Sequence, residues 1–299
     1  MSGYDLLTVA RTRRQHLPAV PGLDATPFIK WAGGKTQLLP QLGPAVPKAF
    51  KTYYEPFAGS AAMFFWLRRE RGTFPAVLMD LNPELVNCYQ VVRDNVKALI
   101  PLLARHQRQH GKRHYYQVRD LEPQSLRRED RAARFIYLNK TCYNGLYRVN
   151  SQGKFNVPMG SYKNPAILET EVLLAASQAL QTVDVREGDF SDILEEISSD
   201  DFVYLDPPYY PISETSSFTG YAVSARGRPE FGAGEHQRLA QFFKALDGRG
   251  CKMLLSNSHC HFVMKLYQGF RTQRVQARRN INSDGSKRGA ITELVIRNY

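Results

Sequence analysis

Short apolar runs typical of buried strands alternate along the chain with stretches of helical periodicity. The strand-like runs are TYYEPF, AVLMD, TVDVREGDF, FVYLD and CKMLLSN at 52–57, 76–80, 182–190, 202–206 and 251–257, with ELVIRNY (293–299) as a last strand. The helix-like stretches lie at 60–70, 83–92, 169–180 and 235–246. Because strands joined by helices run in the same direction, this alternation predicts an α/β fold on a largely parallel sheet.

The alternation breaks between Asn95 and Pro165, where arginine and tyrosine are frequent. This part has helical stretches followed by YNGLYRVNSQGKFNVPMGSYKNP (143–165), whose Asn-Gly and Gln-Gly-Lys steps are typical of hairpin turns. We therefore expect residues 95–165 to form an inserted, mostly helical domain with a β-hairpin. The main domain then comprises 27–94 and 166–299, and the polar residues 1–26 are expected to be a flexible N-terminal arm.

Charge and composition restrict the class of protein and its partners. The 299-residue chain has a formal charge of +12, with eleven Lys or Arg against four acids in 105–148 and eight against two in 265–299. Basic regions suit nucleic acid, although general solubility explains positive charge equally well. No apolar run approaches the ~20 residues of a membrane span, and the N-terminus lacks the apolar segment of a secretory signal. Four cysteines without CxxC spacing fit reduced thiols, so a cytoplasmic protein is expected.

Two short patterns suggest ligands but lack the context that those ligands require. GGKT (33–36) resembles the end of a phosphate loop, yet Ile29 stands where that loop needs a glycine, so ATP binding is not expected. SHCH (258–261) offers metal-binding side chains, but no second cluster follows at ligand spacing, so no metal is expected. The two glycines of GGKT still permit close backbone approach, and with Trp31 and Lys35 beside them they suit a carboxylate-bearing ligand.

Acidic residues end several predicted strands. In EPFAGS (55–60), Gly59 lies at a strand–helix turn like that of nucleotide-binding folds, but the missing GxGxxG pattern argues against a pyrophosphate. Asp80 ends the next strand, where an acid accepts hydrogen bonds from ribose hydroxyls, and capping of the following helix is the other interpretation. Together these features favour a nucleoside without phosphates. EGDF (187–190) adds an acid and an aromatic ring, although such turns are common.

DPPY (206–209) follows an apolar strand at the edge where open α/β sheets bind their ligands. Asp206 provides an acceptor for an amino group, and proline fixes the backbone so that the carbonyl of Pro207 points in one direction. Tyr209 offers a flat ring on which a base stacks, worth roughly 1–3 kcal/mol. A strand that merely ends in a proline turn would not explain why acid and ring coincide with the other strand-end features.

These motifs, in this order, resemble the Dam-type DNA adenine-N6 methyltransferases of the alpha group. The resemblance covers the chain from about Pro27 to its end and is carried by FIKWAGGKTQLL (28–39), EPFAGS (55–60), LNKTCYNGLYRVNSQGKFNVPMGSYKNP (138–165), DPPY (206–209) and ARRNINSDGSKRGAITELVI (277–296). It implies a Rossmann-like S-adenosylmethionine-dependent methyltransferase sheet, with residues 95–165 as the target-recognition domain. The family often has a glycine where Ala61 stands.

The resemblance also implies roles for individual residues. The implied catalytic residues are Asp206, Pro207, Pro208 and Tyr209. The implied binding residues for S-adenosyl-L-methionine are Trp31, Ala32, Gly33, Lys35, Glu55, Phe57, Gly59, Asp80, Asp189, Phe190 and Asp206. The loop from Trp31 to Lys35 closes over the methionine end, Asp80 binds the ribose, and Asp189 with Phe190 meets the adenine edge. The implied DNA-binding residues are Lys30, Tyr143, Asn144, Leu146, Arg148 and Pro158.

The implied activity is methyl transfer from S-adenosyl-L-methionine to adenine N6 in duplex DNA at GATC, by base flipping and direct in-line transfer. Double-stranded DNA is the expected partner of a monomer, with up to two copies at one site. The expected location is the cytoplasm, at the nucleoid of a prokaryotic or phage-infected cell. Three alternatives stay open: a cytosine-N4 enzyme, an RNA-adenine enzyme and a catalytically silent DNA-binding relative. Asp206 argues against the first, because cytosine-N4 enzymes more often carry serine there.

Overall fold

The computed structural model describes residues 24–211, 231–278 and 290–299, so residues 1–23 of the expected N-terminal arm lie outside the described residues. Within the described ranges, seven strands form one sheet in the order β3-β2-β1-β4-β5-β7-β6. The strands are β1 (Tyr53–Glu55), β2 (Ala76–Asp80), β3 (Val183–Glu187), β4 (Phe202–Leu205), β5 (Lys252–Ser258), β6 (Arg271–Arg278) and β7 (Ala290–Arg297). The α-helices of these ranges are α1 (Leu39–Leu42), α2 (Ala62–Arg71), α3 (Pro83–Arg108), α4 (Lys112–Asp120), α5 (Arg128–Thr141), α6 (Thr170–Leu180), α7 (Ala233–Gly248) and α8 (His261–Leu266).

The sheet reverses its strand order between β1 and β4. Strands β1 to β5 pair in parallel, whereas β7 runs antiparallel to both β5 and β6. The chain moves outward from β1 through β2 to β3 and then crosses back, so that β4 pairs with the free side of β1. Open α/β sheets bind ligands at such a point, outside the carboxyl ends of the strands. The predicted α/β fold is confirmed.

Both faces of the sheet are covered by helices. Successive side chains of a strand point to opposite faces, so Tyr53 joins one apolar cluster and Tyr54 the other. Helices α2, α3 and α6 contribute to the first cluster, and α7 and α8 contribute to the second. The strand FVYL (202–205) is buried throughout, as a strand covered on both faces must be.

Helix α3 and strand β6 differ from the elements predicted from the sequence. The helix expected over 83–92 continues to Arg108 as α3, with a non-helical backbone at Asn95 (φ −140°, ψ 34°), and it crosses the predicted domain boundary. Strand β6 was not predicted, because it lies at the sheet edge and most of its described side chains are exposed, with Val275 buried. A half-exposed edge strand has a weaker apolar pattern than a central one.

The inserted residues pack around a third apolar cluster. This cluster includes Tyr115, Tyr137, Phe155 and Val157, and it lies among α4, α5 and the hairpin. The bridges Cys142–Met159 and Val149–Phe155 hold the hairpin together. Helix α5 also contributes side chains to the first apolar cluster, which covers one face of the sheet. The insert is therefore packed against the part of the chain that forms the sheet. The division into separate domains stays a prediction.

Three histidines surround Tyr137 in the insert. His106 Nδ1 lies 3.0 Å from His114 Nε2, and the His106 ring stacks on Tyr137 with 4.8 Å between centroids. His110 Nδ1 lies 3.0 Å from the Tyr137 hydroxyl. Burial, followed by His114 and Arg105, lowers the pKa of His106 to about 4, against an opposing effect of Asp130. The short contact between ring nitrogens requires at least one neutral ring, because two imidazolium rings have no acceptor.

We expect acid to destabilise the folded chain through this cluster. The folded pKa of His106 lies below its unfolded value of about 6.5, so the unfolded state binds more protons and stability is lost as pH falls from about 6.5 towards 4. The loss between pH 7 and pH 5 should be on the order of 2 kcal/mol. His106→Phe keeps a ring on Tyr137 but cannot be protonated, so its unfolding free energy in urea should change less between the two pH values. An unchanged pH dependence would contradict this, and His261→Phe, on the exposed side of α8, is the control.

Candidate active site

The predicted catalytic and cofactor residues converge where β1 and β4 end. Glu55 is the last residue of β1, Asp206 directly follows β4, and Asp80 is the last residue of β2. Because β1 pairs in parallel with both β2 and β4, all three strands end at the same edge of the sheet. The edge therefore brings three carboxylates from distant parts of the chain into one region.

Asp206 is held by a cation and by a hydroxyl group. Lys35 Nζ lies 2.9 Å from Asp206 Oδ1, and Ser256 Oγ donates to the same oxygen at 3.0 Å. The Tyr204 hydroxyl lies 2.9 Å from Ser256 Oγ and extends the network into the core. Burial raises the pKa of Asp206, while Lys35 and Ser256 oppose the rise. The Asp206 side chain keeps 18% exposure, so a ligand can reach it.

Lys35 contacts two residues of the DPPY turn, Asp206 and Tyr209. Its side chain is 5% exposed, and its ammonium group donates to Gly33 O at 2.6 Å and lies 4.5 Å from the centroid of the Tyr209 ring. Trp31 and Ala32 of the same loop are half-buried. The resemblance implies that Lys35 belongs to the loop over the cofactor, and its contacts connect that loop to the DPPY turn.

The Tyr209 ring is fixed by a residue that the sequence did not point to. The Tyr209 hydroxyl donates to Glu293 Oε2 at 2.7 Å. Glu293 pairs with Ser258 across β5 and β7, and because β7 is antiparallel, its first half returns to the carboxyl edge of the sheet. Burial raises the pKa of Glu293 and of the Tyr209 phenol. Pro207 is buried and Pro208 is half-buried beside them, as expected for a rigid turn.

The turn after β1 brings the backbone close to Trp31. Gly59 has φ +48°, and a Cβ there would lie 2.7 Å from Trp31 Cδ1, so a side chain is excluded. Gly59 N donates to Asp80 Oδ2 at 3.1 Å, and Asn82 N donates to Asp80 Oδ1 at 2.9 Å. Ala61 has φ 51° and ψ 38°, a left-handed conformation that costs a non-glycine residue roughly 1–2 kcal/mol. Glycine at this position would relieve that strain.

The acids at this edge suit a ligand with hydroxyl and cationic groups. Capping of α3, the other interpretation of Asp80, is performed by Asn82, whose side chain accepts from Glu84 N and Leu85 N. Glu55 is 2% exposed and accepts from the Tyr53 hydroxyl at 2.8 Å. Burial raises the pKa of Glu55 to about 8 and also raises that of Asp80. A cationic group placed beside Glu55 would favour its charged form.

Asp189 is bound by other protein groups. Arg238 Nη1 lies 2.6 Å from Asp189 Oδ1, Nη2 lies 2.8 Å from Oδ2, and Ser191 Oγ donates to Oδ1 at 2.6 Å. Burial raises the pKa of Asp189, but hydrogen bonds from Arg238 and Ser191 lower it to about 2. The Arg238 guanidinium lies 4.1 Å from the centroid of the Phe190 ring, which is 5.5 Å from that of Phe57. The sequence carried no signal for Arg238, because it reaches this pair from α7.

Except for Lys30, the predicted DNA-contacting residues lie along the insert's hairpin and its 3-10 turn at 143–145. Tyr143 and Asn144 are exposed, Asn144 has φ 56°, and Tyr143 N donates to Pro158 O at 2.9 Å. Arg148 is exposed, and its Nε donates to Asn156 Oδ1 at 2.7 Å across the hairpin. The three side chains are therefore exposed, with the Tyr143 backbone and the Arg148 guanidinium each hydrogen-bonded to residues across the hairpin.

Lys30 connects the hairpin to the N-terminal loop. Lys30 N donates to Asn139 Oδ1 at 2.8 Å, and Asn139 Nδ2 donates to Lys30 O at 2.7 Å and to Gly145 O at 3.2 Å. Lys30 Nζ lies 4.4 Å from the centroid of the Tyr162 ring. Leu146 is half-buried and packs against the third apolar cluster. The structure thus brings Lys30 and Leu146 to the same part of the insert.

Across residues 24–211, 231–278 and 290–299, no group of three or more His, Cys, Asp and Glu side chains is arranged to hold a metal ion. No helix in this part of the chain is long and apolar enough to cross a membrane. That the reaction requires no metal stays a prediction.

Comparison with known proteins identifies the family. The profile of the D12 class N6 adenine-specific DNA methyltransferases matches residues 31–281. The chain is 42% identical to the type II methyltransferase M.MjaIII of Methanocaldococcus jannaschii over 294 residues, which cover 93% of this chain and 100% of the relative. It is 40% identical to the type II methyltransferase M1.LlaDCHI of Lactococcus lactis subsp. cremoris over 283 residues, covering 93% and 96% of the two chains. It is 33% identical to the DNA adenine methylase of Escherichia coli K12 over 272 residues, covering 90% and 93%.

These similarities decide among the alternatives that the sequence left open. The matched family acts on adenine N6 in DNA, so a cytosine-N4 or RNA substrate is not supported. The relatives are named as methyltransferases and methylases, so the chain is an enzyme that requires a methyl donor and acts on DNA. The chain belongs to the family of D12 class N6 adenine-specific DNA methyltransferases.

Proposed function

We propose that this enzyme transfers the methyl group of S-adenosyl-L-methionine to adenine N6 at GATC in duplex DNA, after flipping the adenine out of the helix. The observation that carries the proposal is the arrangement of Asp206, Pro207 and Tyr209 beside Glu55 and Asp80, where the strand order reverses. The GATC target rests on the resemblance of the hairpin residues, and the relative in Escherichia coli is named a DNA adenine methylase.

The target amino group is held by the DPPY turn. Adenine N6 is paired and shielded within a duplex, so the base must leave the stack before reaction. Tyr209 then stacks on the base, while the Asp206 carboxylate and the Pro207 carbonyl each accept a hydrogen bond from one of the two N6–H groups. This orientation directs the nitrogen lone pair at the methyl group, and no side chain forms a covalent bond to the base. Catalysis comes from positioning and electrostatics, and Lys35 and Ser256 favour the charged carboxylate that the geometry requires.

The residues at the β1 edge fit S-adenosyl-L-methionine, which supplies an electrophilic methyl group when bound. Glu55 and Gly59 would lie beneath the cofactor. The absence of a side chain at Gly59 lets the backbone there approach Trp31 of the loop that would cover the methionine end. Asp80 would accept hydrogen bonds from the ribose hydroxyls through lone pairs that its backbone donors leave unused. Phe190, with Asp189 held by its arginine partner, would contact the adenine edge.

Duplex DNA would lie along the hairpin and the basic insert. Arg148 reads a guanine, since arginine pairs with guanine O6 and N7 through two hydrogen bonds. Lys30 contacts the outer base pair, Pro158 supports the hairpin, and Tyr143, Asn144 and Leu146 lie at the gap left by the flipped base. The remaining basic residues bind phosphates without reading sequence. The enzyme acts as a monomer, with up to two copies per site, in the cytoplasm at the nucleoid.

Methylation of a randomised duplex library, followed by mapping of N6-methyladenine, tests this specificity. Mapped adenines should fall in GATC, and an unmethylated library carried through the same procedure is the control. A different consensus around the modified adenine would contradict the GATC target while leaving the chemistry intact. An absence of any consensus would contradict site-specific methylation itself.

A further inference from the structure

The contact between Tyr209 and Glu293 has no role in the reaction described so far. Glu293 lies 84 residues beyond Tyr209 in the chain, on the antiparallel strand β7. Pairing with Ser258 places it at the carboxyl end of β5, beside the DPPY turn. The phenol hydroxyl donates to its carboxylate at 2.7 Å, within the range of a charge-assisted O–H···O⁻ hydrogen bond.

The surroundings of Tyr209 leave its ring orientation dependent on this contact. The two prolines fix the backbone up to Tyr209, but they do not determine the rotation of its side chain. Lys35 Nζ lies over one face of the ring, 4.5 Å from the centroid, and also pairs with Asp206. Glu293 is the hydrogen-bonding partner of the hydroxyl among the described residues and therefore anchors the end of the ring farthest from the backbone.

We propose that Glu293 is a positioning residue for the methyl-transfer step, holding the Tyr209 ring at the angle at which it stacks on the flipped adenine. This inference rests on the proposed function, because it requires an adenine that stacks on Tyr209. Glu293 touches neither the base nor the methyl donor in this role, and its effect passes through the phenol hydroxyl. A wrongly rotated ring would leave the amino group misaligned with Asp206, which lowers the rate of transfer more than it weakens DNA binding.

A double-mutant cycle separates this role from a purely structural one. Glu293→Gln keeps an acceptor oxygen, Glu293→Met fills a similar space without one, and Tyr209→Phe keeps the ring but removes the donor. Glu293→Met should lower kcat about tenfold with little change in KM for DNA, and Glu293→Gln should recover most of that loss. In the Tyr209→Phe background both substitutions should change kcat by less than about twofold, because the bond they affect is already gone.

The same cycle contains the results that would overturn the inference. Equal losses of kcat from Glu293→Met in both backgrounds, or no loss in either, would exclude an effect through the hydroxyl. If Glu293→Met does not fold in thermal unfolding, Glu293→Asp replaces it, because the shortened carboxylate keeps the charge and loses the reach. Absence of adenine methylation by the wild type would contradict the proposed function, whereas independent losses in an active enzyme contradict only the role of Glu293.

Discussion

Replacing Asp206 with alanine or asparagine is expected to reduce methyl transfer by on the order of 10³-fold. In the proposed mechanism the carboxylate accepts a hydrogen bond from the target amino group. It lies at the carboxyl edge of the sheet, with Lys35 and Ser256 bound to one of its oxygens. Asparagine keeps the shape of the side chain. It replaces one accepting oxygen with an NH2 donor, and it also removes the negative charge that pairs with Lys35. DNA affinity should stay within a few-fold of wild type, because the residues proposed to bind phosphates lie in the insert.

Single-turnover methylation and DNA binding, measured on the same duplex, check this expectation. Alanine leaves the buried Lys35 ammonium without its partner, so thermal unfolding of both variants is needed to separate lost chemistry from lost folding. Asp184→Ala is the control, because it removes an exposed carboxylate of β3 that does not lie at the carboxyl end of the strand. This variant should behave like wild type. Turnover of Asp206→Asn within tenfold of wild type would contradict the role given to this carboxylate.

Arg148→Ala is expected to lower the enzyme's discrimination at one guanine of the target, measured as a ratio of kcat/KM values, by about 10- to 100-fold. The magnitude follows from the roughly 1–3 kcal/mol that a bidentate arginine–guanine pair contributes. Arg148 is exposed on the hairpin, and its Nε is held by Asn156, which leaves the other guanidinium nitrogens directed away from that bond. Loss of this side chain should raise the relative rate on sites with the guanine replaced, while the other positions are still read.

Relative kcat/KM values on duplexes with single-base substitutions measure this discrimination. Arg148→Lys keeps the charge but lacks the two-pronged geometry, so it should lose discrimination as alanine does. Lys154→Ala, an exposed residue of the same hairpin, should lower the rate on all duplexes by a similar factor. Unchanged rate ratios in Arg148→Ala would show that another residue reads the guanine.

Features that depend on neighbouring residues were predictable from the sequence. The apolar run FVYL indicates a buried strand, and the two prolines shortly after it indicate where the strand ends. The sequence therefore predicts that Asp206 and Tyr209 lie at the end of that strand. The same holds for the turn at Gly59, where the structure excludes a side chain. Local chemistry therefore placed the predicted catalytic residues correctly at the sheet edge, although their roles stay proposals.

Features that depend on distant strands were not predictable in the same way. Ser256 and Glu293 reach Asp206 and Tyr209 through the pairing of β4 with β5 and of β5 with β7, and strand register cannot be derived from one short apolar run. Arg238 reaches Asp189 from α7, 49 residues along the chain. Each of these groups fixes the orientation of a predicted residue. The residues that could not be predicted are therefore mainly the hydrogen-bonding partners of the predicted site residues.

We propose that this chain methylates adenine N6 in DNA with the methyl group of S-adenosyl-L-methionine. The direct measurement is incubation of duplex DNA with the enzyme and an isotopically labelled methyl donor, followed by digestion to nucleosides and mass spectrometry. We expect the label in N6-methyldeoxyadenosine, and we expect Asp206→Asn to reduce the rate of labelling by on the order of 10³-fold. Label in N4-methyldeoxycytidine, or DNA without label from a folded enzyme, would contradict it.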